Sequence, residues 1–187
     1  SKAGIKWIGP SPSIISMMGD KIQARKLVEK IGVPVVPGGM EPIKNLDQAK
    51  VSAKKIGYPI LVKAAGGGGG KGMRIINSHG DLKNALERAK SEAKKAFADD
   101  RIYLEKYLEE PHHVEIQIFA DNHGNVISLG ERECSIQRRY QKIIEETPSP
   151  FITSKLRKDL SEAAICIARA CQYSGAGTVE YLVDKHQ

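Results

Sequence analysis

Aromatic residues are scarce in this chain of 187 residues: one Trp, three Phe and six Tyr, 5% in all. Proteins that hold single-stranded nucleic acid stack bases on aromatic rings, so the scarcity weighs against that class. Cysteine is scarce too. Cys134, Cys166 and Cys171 form no C-x-x-C pair. That argues against a disulfide framework or a structural zinc site, and points to a reducing compartment, hence the cytoplasm. No uncharged apolar run approaches the roughly 20 residues of a membrane helix. The opening SKAGIKWIGP lacks the apolar core of a signal peptide. Wholesale disorder is excluded by 41% hydrophobic and 27% charged residues, which are globular values.

Basic charge and glycine are what the chain has in excess. Lys and Arg number 29 against 22 Asp and Glu, a net charge of +7. This points to anionic partners (nucleic acid, an acidic membrane surface, polyphosphates) or to a solvated basic surface. Arg132, Arg138, Arg139 and Lys142 crowd one segment, either a nucleic-acid patch or a loop steering small anions. Of the 18 glycines, five stand in a row at Gly66–Gly70.

The pattern along the chain mixes helices and strands without strict alternation, an α+β class. A short strand is expected at Ile5–Gly9. Helices are expected after Ser11-Pro12, from Asp20 to Gly32, from Asn45 to Gly57, over Asp81–Phe97, and over Leu156–Cys171. Val33–Gly39, rich in Pro and Gly, reads as a linker or hinge. Strands are expected at Ile60–Ala64, Met73–Ile76, Ile102–Leu108, Val114–Ala120, Val126–Glu131 and Thr178–Val183. In Val114–Ala120, Glu115 and Gln117 fall on the polar face. Residues 134–150 read as an ordered surface loop, and Gly175-Ala176-Gly177 as the break before the last strand.

The glycine run leaves backbone N–H groups bare, free to approach phosphate oxygens. Gly67-x-Gly69-x-x-Gly72 matches a dinucleotide fingerprint, but a strand follows where that fingerprint requires a helix. A Walker A loop also fails, because position 65 is Ala and Gly72 follows Lys71. What remains is strand, glycine flap, strand, a topology that lays a mobile loop over a nucleotide's phosphates. Lys63, ending an apolar run beside the flap, either grips a phosphate or snorkels at an edge. Glu105 and Glu180 interrupt apolar strands. Each needs a metal, a cation or a bonded ligand, or else sits on a wet strand face. His112-His113 has no metal-ligand spacing. Cys134 has no evident partner base and reads as a small apolar filler.

Taken together, IGPSPSIISMMGDK, KAAGGGGGKGMR, EKYLEEPHHVEIQIFAD, ECSIQRRYQKIIEETPSP and GAGTVEYL resemble the biotin carboxylase family, a branch of the ATP-grasp enzymes. The ECSIQRR…QK…EE…PSP block separates that family from carbamoyl-phosphate synthetases and other ATP-grasp relatives. The resemblance implies an ATP-dependent ligase: ATP converts bicarbonate to carboxyphosphate, whose CO2 passes to biotin on a carrier domain. It implies that Lys21 and Lys63 hold phosphate and that Gly69 and Gly70 close over it. Glu105, Lys106, Tyr107 and Leu108 would form the hinge strand reading adenine, and His113 would contact the nucleotide. Gln137 and Lys142 would line the bicarbonate end as the catalytic pair, and Glu180 would be the first Mg²⁺ carboxylate. Tyr140 stands where many members have a nucleotide-contacting His.

The implied organisation is an ATP-grasp fragment in three parts. These are the tail of an N-terminal domain (1–35), the lid (36–107) and the start of a catalytic domain (108–187), with the second metal carboxylate and general base expected beyond Gln187. Implied partners are a biotin carboxyl carrier domain and a carboxyltransferase, with a homodimer in the intact parent and neither nucleic acid nor membrane. The implied location is the cytoplasm, or an organellar matrix in a eukaryote. Two alternatives differ in class: an ATP-grasp ligase with another acceptor, and a basic nucleic-acid-binding module.

Overall fold

The structure is a computed structural model, and it describes residues 4, 5, 7–68 and 70–185. The chain divides into two compact units. One comprises Met18–Glu109 with Arg139–Gln141, and the other comprises the stretch up to Met17, Glu110–Arg138 and the chain from Lys142 onward.

Along the chain, α1 (Pro12–Gly19), most of which belongs to the other unit, is followed after a single residue, Asp20, by α2 (Lys21–Lys30) of the first unit. The Asp20 carboxylate accepts from the N–H groups of Ile22 and Gln23, as an N-cap should. Next come α3 (Leu46–Ile56), β1 (Ile60–Ala64), β2 (Arg74–Ile76), α4 (Leu82–Phe97) and β3 (Ile102–Lys106). Asn45 caps α3 at its start, and Gly57 ends it with φ +80°. The strands form an antiparallel sheet in the order β2-β1-β3. Ile60, Val62, Ile76, Ile102 and Leu104 bury their side chains against Ala49 and Ala53 of α3 and Leu82, Leu86 and Ala89 of α4. Each buried Ile or Leu contributes about 1.5–3 kcal/mol. The Val33–Gly39 linker is irregular and runs beside β3, with Gly39 N–H donating to the Leu104 carbonyl (2.7 Å). A Cβ on Gly38 would lie 2.7 Å from that same carbonyl, so the approach requires glycine.

The second unit holds β4 (His112–Ala120), β5 (Val126–Arg138), β6 (Gln141–Glu146), α5 (Ser154–Ala170) and β7 (Gly175–Val183). Its sheet runs β6-β5-β4-β7, with β4 antiparallel to both neighbours. Ile116, Ile118, Ala120 and Val126 pack on Ala164 and Ala168 of α5.

Several sequence expectations are corrected. Ile5 and Trp7–Gly9 form no strand. Trp7 and Ile8 are largely exposed, and the Trp7 indole N–H turns back to the Pro10 carbonyl (2.9 Å). Residues 134–150 are not a loop throughout: β5 continues to Arg138 and β6 follows. Both faces of that hairpin carry polar side chains, which hides the alternation. Gly175–Gly177 belong to β7, where a Cβ on Gly175 would stand 3.1 Å from the Gly9 Cα. Glu115 lies on the face opposite Val114 and Ile116, as alternation requires. It is buried, because Arg132, opposite it on β5, and Lys142 of β6 cover its carboxylate.

Candidate functional site

In the Met18–Glu109 unit Lys21 meets the root of the glycine flap, whereas Lys63 and Glu105 pair with each other and Lys106, Tyr107 and Leu108 lie at the far end of the β1–β3 pair. Lys21 opens α2. Its N–H donates to the Ala65 carbonyl (2.9 Å) and its ammonium donates to the Gly67 carbonyl, so the α2 start is tied to the flap. Lys63 projects from β1 and bonds Glu105 Oε1 at 2.9 Å. Glu105 is 3% exposed, and it also takes Arg25 Nη1 (3.4 Å) and the Tyr103 hydroxyl (3.2 Å). The carboxylate in the apolar strand is therefore satisfied by cations. Arg25, which the motifs do not single out, lies one turn from Lys21 on α2, and that i, i+4 spacing was the available signal. Its Nη2 donates to the Val36 carbonyl (2.6 Å) and its guanidinium lies 5.5 Å from the Tyr103 ring centre. Burial pushes the Tyr103 hydroxyl well above the ordinary tyrosine value, and the Glu105 charge adds to it.

The hinge residues follow from β3. Lys106 donates its backbone N–H to Pro37 (2.7 Å) and its ammonium to the carbonyls of Gly57 (3.1 Å) and Tyr58 (3.0 Å). Tyr107 N–H donates to Pro59 (3.2 Å). Among the described residues, Leu108 N–H has no hydrogen-bond partner. Gly69 lies outside the described residues. Gly70 has φ +72°, and the space a Cβ would take there is filled by the Tyr140 ring. Arg139 and Tyr140 form the two-residue turn between β5 and β6, with φ +51° and +66°. Two positive φ values are the mark of a type I′ hairpin.

In the other unit, the β4 register puts Glu115 opposite both Arg132 and Glu180. Lys142 Nζ donates to Glu180 Oε1 (2.5 Å) and to Glu115, while Arg132 Nε donates to Glu115 at 2.5 Å. Burial pulls the Lys142 ammonium down, but its hydrogen bonds to the two glutamates outweigh this and hold it above the usual lysine range. Burial works to raise Glu115, and its two cationic partners prevail and keep it below the ordinary glutamate value. Glu180 is exposed, on the wet face that strand alternation allowed, and uses one oxygen for Lys142. A solvent-facing carboxylate with a second oxygen to offer fits a hard divalent cation. Gln137 donates from Nε2 to the Cys134 carbonyl (2.8 Å), and His113 N–H donates to Ser135 Oγ (2.9 Å). Glu115, Cys134 and Glu145 also cluster. Arg132 and Lys142 already neutralise the carboxylates, and burial pushes the Cys134 thiol up to about 11, so this cluster does not suit a metal.

Comparison with known proteins follows the same lines. The family described as "Carbamoyl-phosphate synthase L chain, ATP binding domain" matches residues 20–187. The biotin carboxylase of Haemophilus influenzae is 48% identical over 184 residues, 98% of this chain and 41% of that protein. A biotin carboxylase–β,γ-ATP complex from Campylobacter jejuni superposes with a TM-score of 0.96 at 49% identity, over 99% of this chain and 42% of that one. The biotin carboxylase domain dimer of Hydrogenobacter thermophilus 2-oxoglutarate carboxylase, with MgADP, ADP and bicarbonate, gives 0.95 at 44% identity, over 99% of this chain and 41% of that one. The chain thus spans about two fifths of the length of these three relatives. It belongs to this ATP-binding-domain family, and within it to the biotin carboxylases.

Proposed function

We propose that this chain is the nucleotide-gripping part of a biotin carboxylase. In the complete protein it would serve the ATP-dependent carboxylation of biotin, with bicarbonate as carbon source and carboxyphosphate as intermediate. The observation that carries the reading is the flap root, where Lys21 at the start of α2 bonds the Gly67 carbonyl and β1, carrying Lys63, leads directly into the run of bare glycines. Lys21 and Lys63 are assigned to phosphate, and Gly69 and Gly70 to closure over it. Lys63 reaches a phosphate by exchanging or sharing its bond to Glu105, which Arg25 and Tyr103 continue to satisfy. Of the hinge residues Glu105, Lys106, Tyr107 and Leu108, the last, whose N–H has no partner among the described residues, is suited to an adenine nitrogen. His113 is assigned to the nucleotide, Gln137 and Lys142 to the bicarbonate end, and Glu180 to Mg²⁺. Lys142 presents a fixed positive charge where an anionic intermediate would form. Tyr140 has no imidazolium to offer and is assigned to packing on Gly70.

The reading extends to a three-part organisation, 1–35, 36–107 and 108–187, and to a carrier domain bearing biotin, a carboxyltransferase and a dimeric assembly. Cytoplasm or an organellar matrix is the matching location. Among the described residues no helix is long and apolar enough to cross a membrane.

The test is calorimetry of MgATP binding to the complete protein with K21A and K63A. Each substitution removes a charge-assisted contact and is expected to weaken binding by roughly 1.5–3 kcal/mol. Unchanged affinity in both variants would refute the assignment.

A further inference from the structure

Within the Met18–Glu109 unit, hydrogen bonds close a ring through Arg101. The Arg101 carbonyl accepts from Ala65 N–H (2.9 Å), and the Ala65 carbonyl accepts from Lys21 N–H (2.9 Å). Lys21 follows Asp20, whose Oδ2 accepts from Arg101 Nη1 at 2.8 Å. The ring begins and ends on one residue. Asp99 fixes the guanidinium in place, with Nε 3.0 Å from Oδ1 and Nη2 2.6 Å from Oδ2. A planar fork spanning two carboxylates is a geometry an ammonium cannot reproduce. The other Asp20 oxygen is committed to capping α2, through Ile22 and Gln23 N–H at 3.0 Å each.

A half-exposed arginine in a simple surface ion pair contributes little. Arg101 differs because its ring passes through two backbone bonds. Those bonds belong to Ala65, which immediately precedes the glycine run, and to Lys21, whose ammonium reaches the Gly67 carbonyl. One side chain thus orients the start of α2 and the root of the flap in a common frame.

We propose that Arg101 is a positioning residue that holds Lys21 and the flap root in register, so that ammonium and glycine N–H groups meet a nucleotide's phosphates together. The proposal rests on the reading of Lys21 as a phosphate-holding lysine. The test is a double-mutant cycle in the complete protein, with ATP and adenosine affinities measured by calorimetry for K21M, R101M, R101K and K21M/R101M. R101M is expected to weaken ATP binding about five- to tenfold and to leave adenosine binding unchanged. Adding it to K21M is expected to cost clearly less than R101M costs alone, since residues acting as one unit are non-additive. R101K, still able to meet Asp20, should recover part of the loss. Full additivity in the double variant overturns the proposal while the Lys21 reading stands. An equal loss for adenosine also overturns it, since that reports general loosening of the unit. If K21M binds ATP as the parent does, the Lys21 reading fails and the proposal falls with it.

Discussion

Glu131 and Glu133 alternate along β5, and both are buried. Glu131 accepts from Arg157 Nε (2.7 Å) and Ser149 N–H (3.1 Å). Glu133 accepts from the hydroxyls of Ser149 (2.7 Å) and Ser135 and faces His112 Nδ1 (3.2 Å), whose ring stacks on Phe151. Burial tends to raise both carboxylates. The hydrogen bonds prevail, and both sit below the ordinary glutamate value of 4.5. A depressed folded value means that the unfolded chain takes up protons first on acidification. Stability from these groups is therefore complete above 4.5 and drains away as pH falls through the lowered values. Thermal melts between about pH 7 and pH 3 should show the midpoint falling in that window. The slope should be shallower in E131Q and E133Q, and a slope equal to the parent's in both would contradict this. At this scale the sequence showed which residues were out of place and not what answered them. Glu105 stood out in an apolar strand, but its partners, Lys63 and Arg25, are 42 and 80 positions away, and only β pairing and the docking of α2 bring them together.

Elements with one apolar face were legible, and elements without one were not. The helix at Asn45 shows a cap and a glycine stop, the helix at Asp81 shows apolar periodicity, and β1 is a plain apolar run. The β5–β6 hairpin offers no such signal: Ile136 and Ile143 are exposed and its turn is Arg139-Tyr140, where a type I′ hairpin favours Asn-Gly. Positive φ on two side-chain-bearing residues costs roughly 1 kcal/mol each. R139N/Y140G is therefore expected to raise stability by about 1–2 kcal/mol. It should also weaken MgATP binding, because it removes the ring that lies against Gly70. Denaturant midpoints check the first half and calorimetry the second. A variant no more stable than its parent would show that the turn is relaxed as it stands.

The whole chain carries one candidate phosphate-gripping unit and a second unit in which Lys142 and Glu180 form a charge cluster, within about two fifths of the length of its relatives. A single exposed carboxylate binds Mg²⁺ weakly, since such sites rely on one or two carboxylates together with substrate phosphates. The 187 residues alone are therefore expected to release no ADP in a biotin- and bicarbonate-dependent manner, whereas the complete protein is expected to do so under the proposed function. Coupled-enzyme detection of ADP is the assay, and release by the isolated chain at the complete protein's rate would contradict the expectation. The fold class was legible at this scale because the glycine flap and the ECSIQRR block carry their own spacing. What was not legible is that Arg139–Gln141 cluster with a stretch thirty or more positions earlier.

The connection at Arg139-Tyr140 has no slack. Successive strand residues point to opposite faces, so one extra residue there would turn β6 over or force a bulge. Either result would swing Lys142 away from Glu115 and Glu180, leaving two carboxylates without their shared counter-ion. Length added at the turn of Asn122–Gly124, which carries no assigned residue, is expected to be tolerated. Between Arg138 and Lys142 an added residue is expected to be destabilising, because it breaks the register that brings Lys142 to both carboxylates.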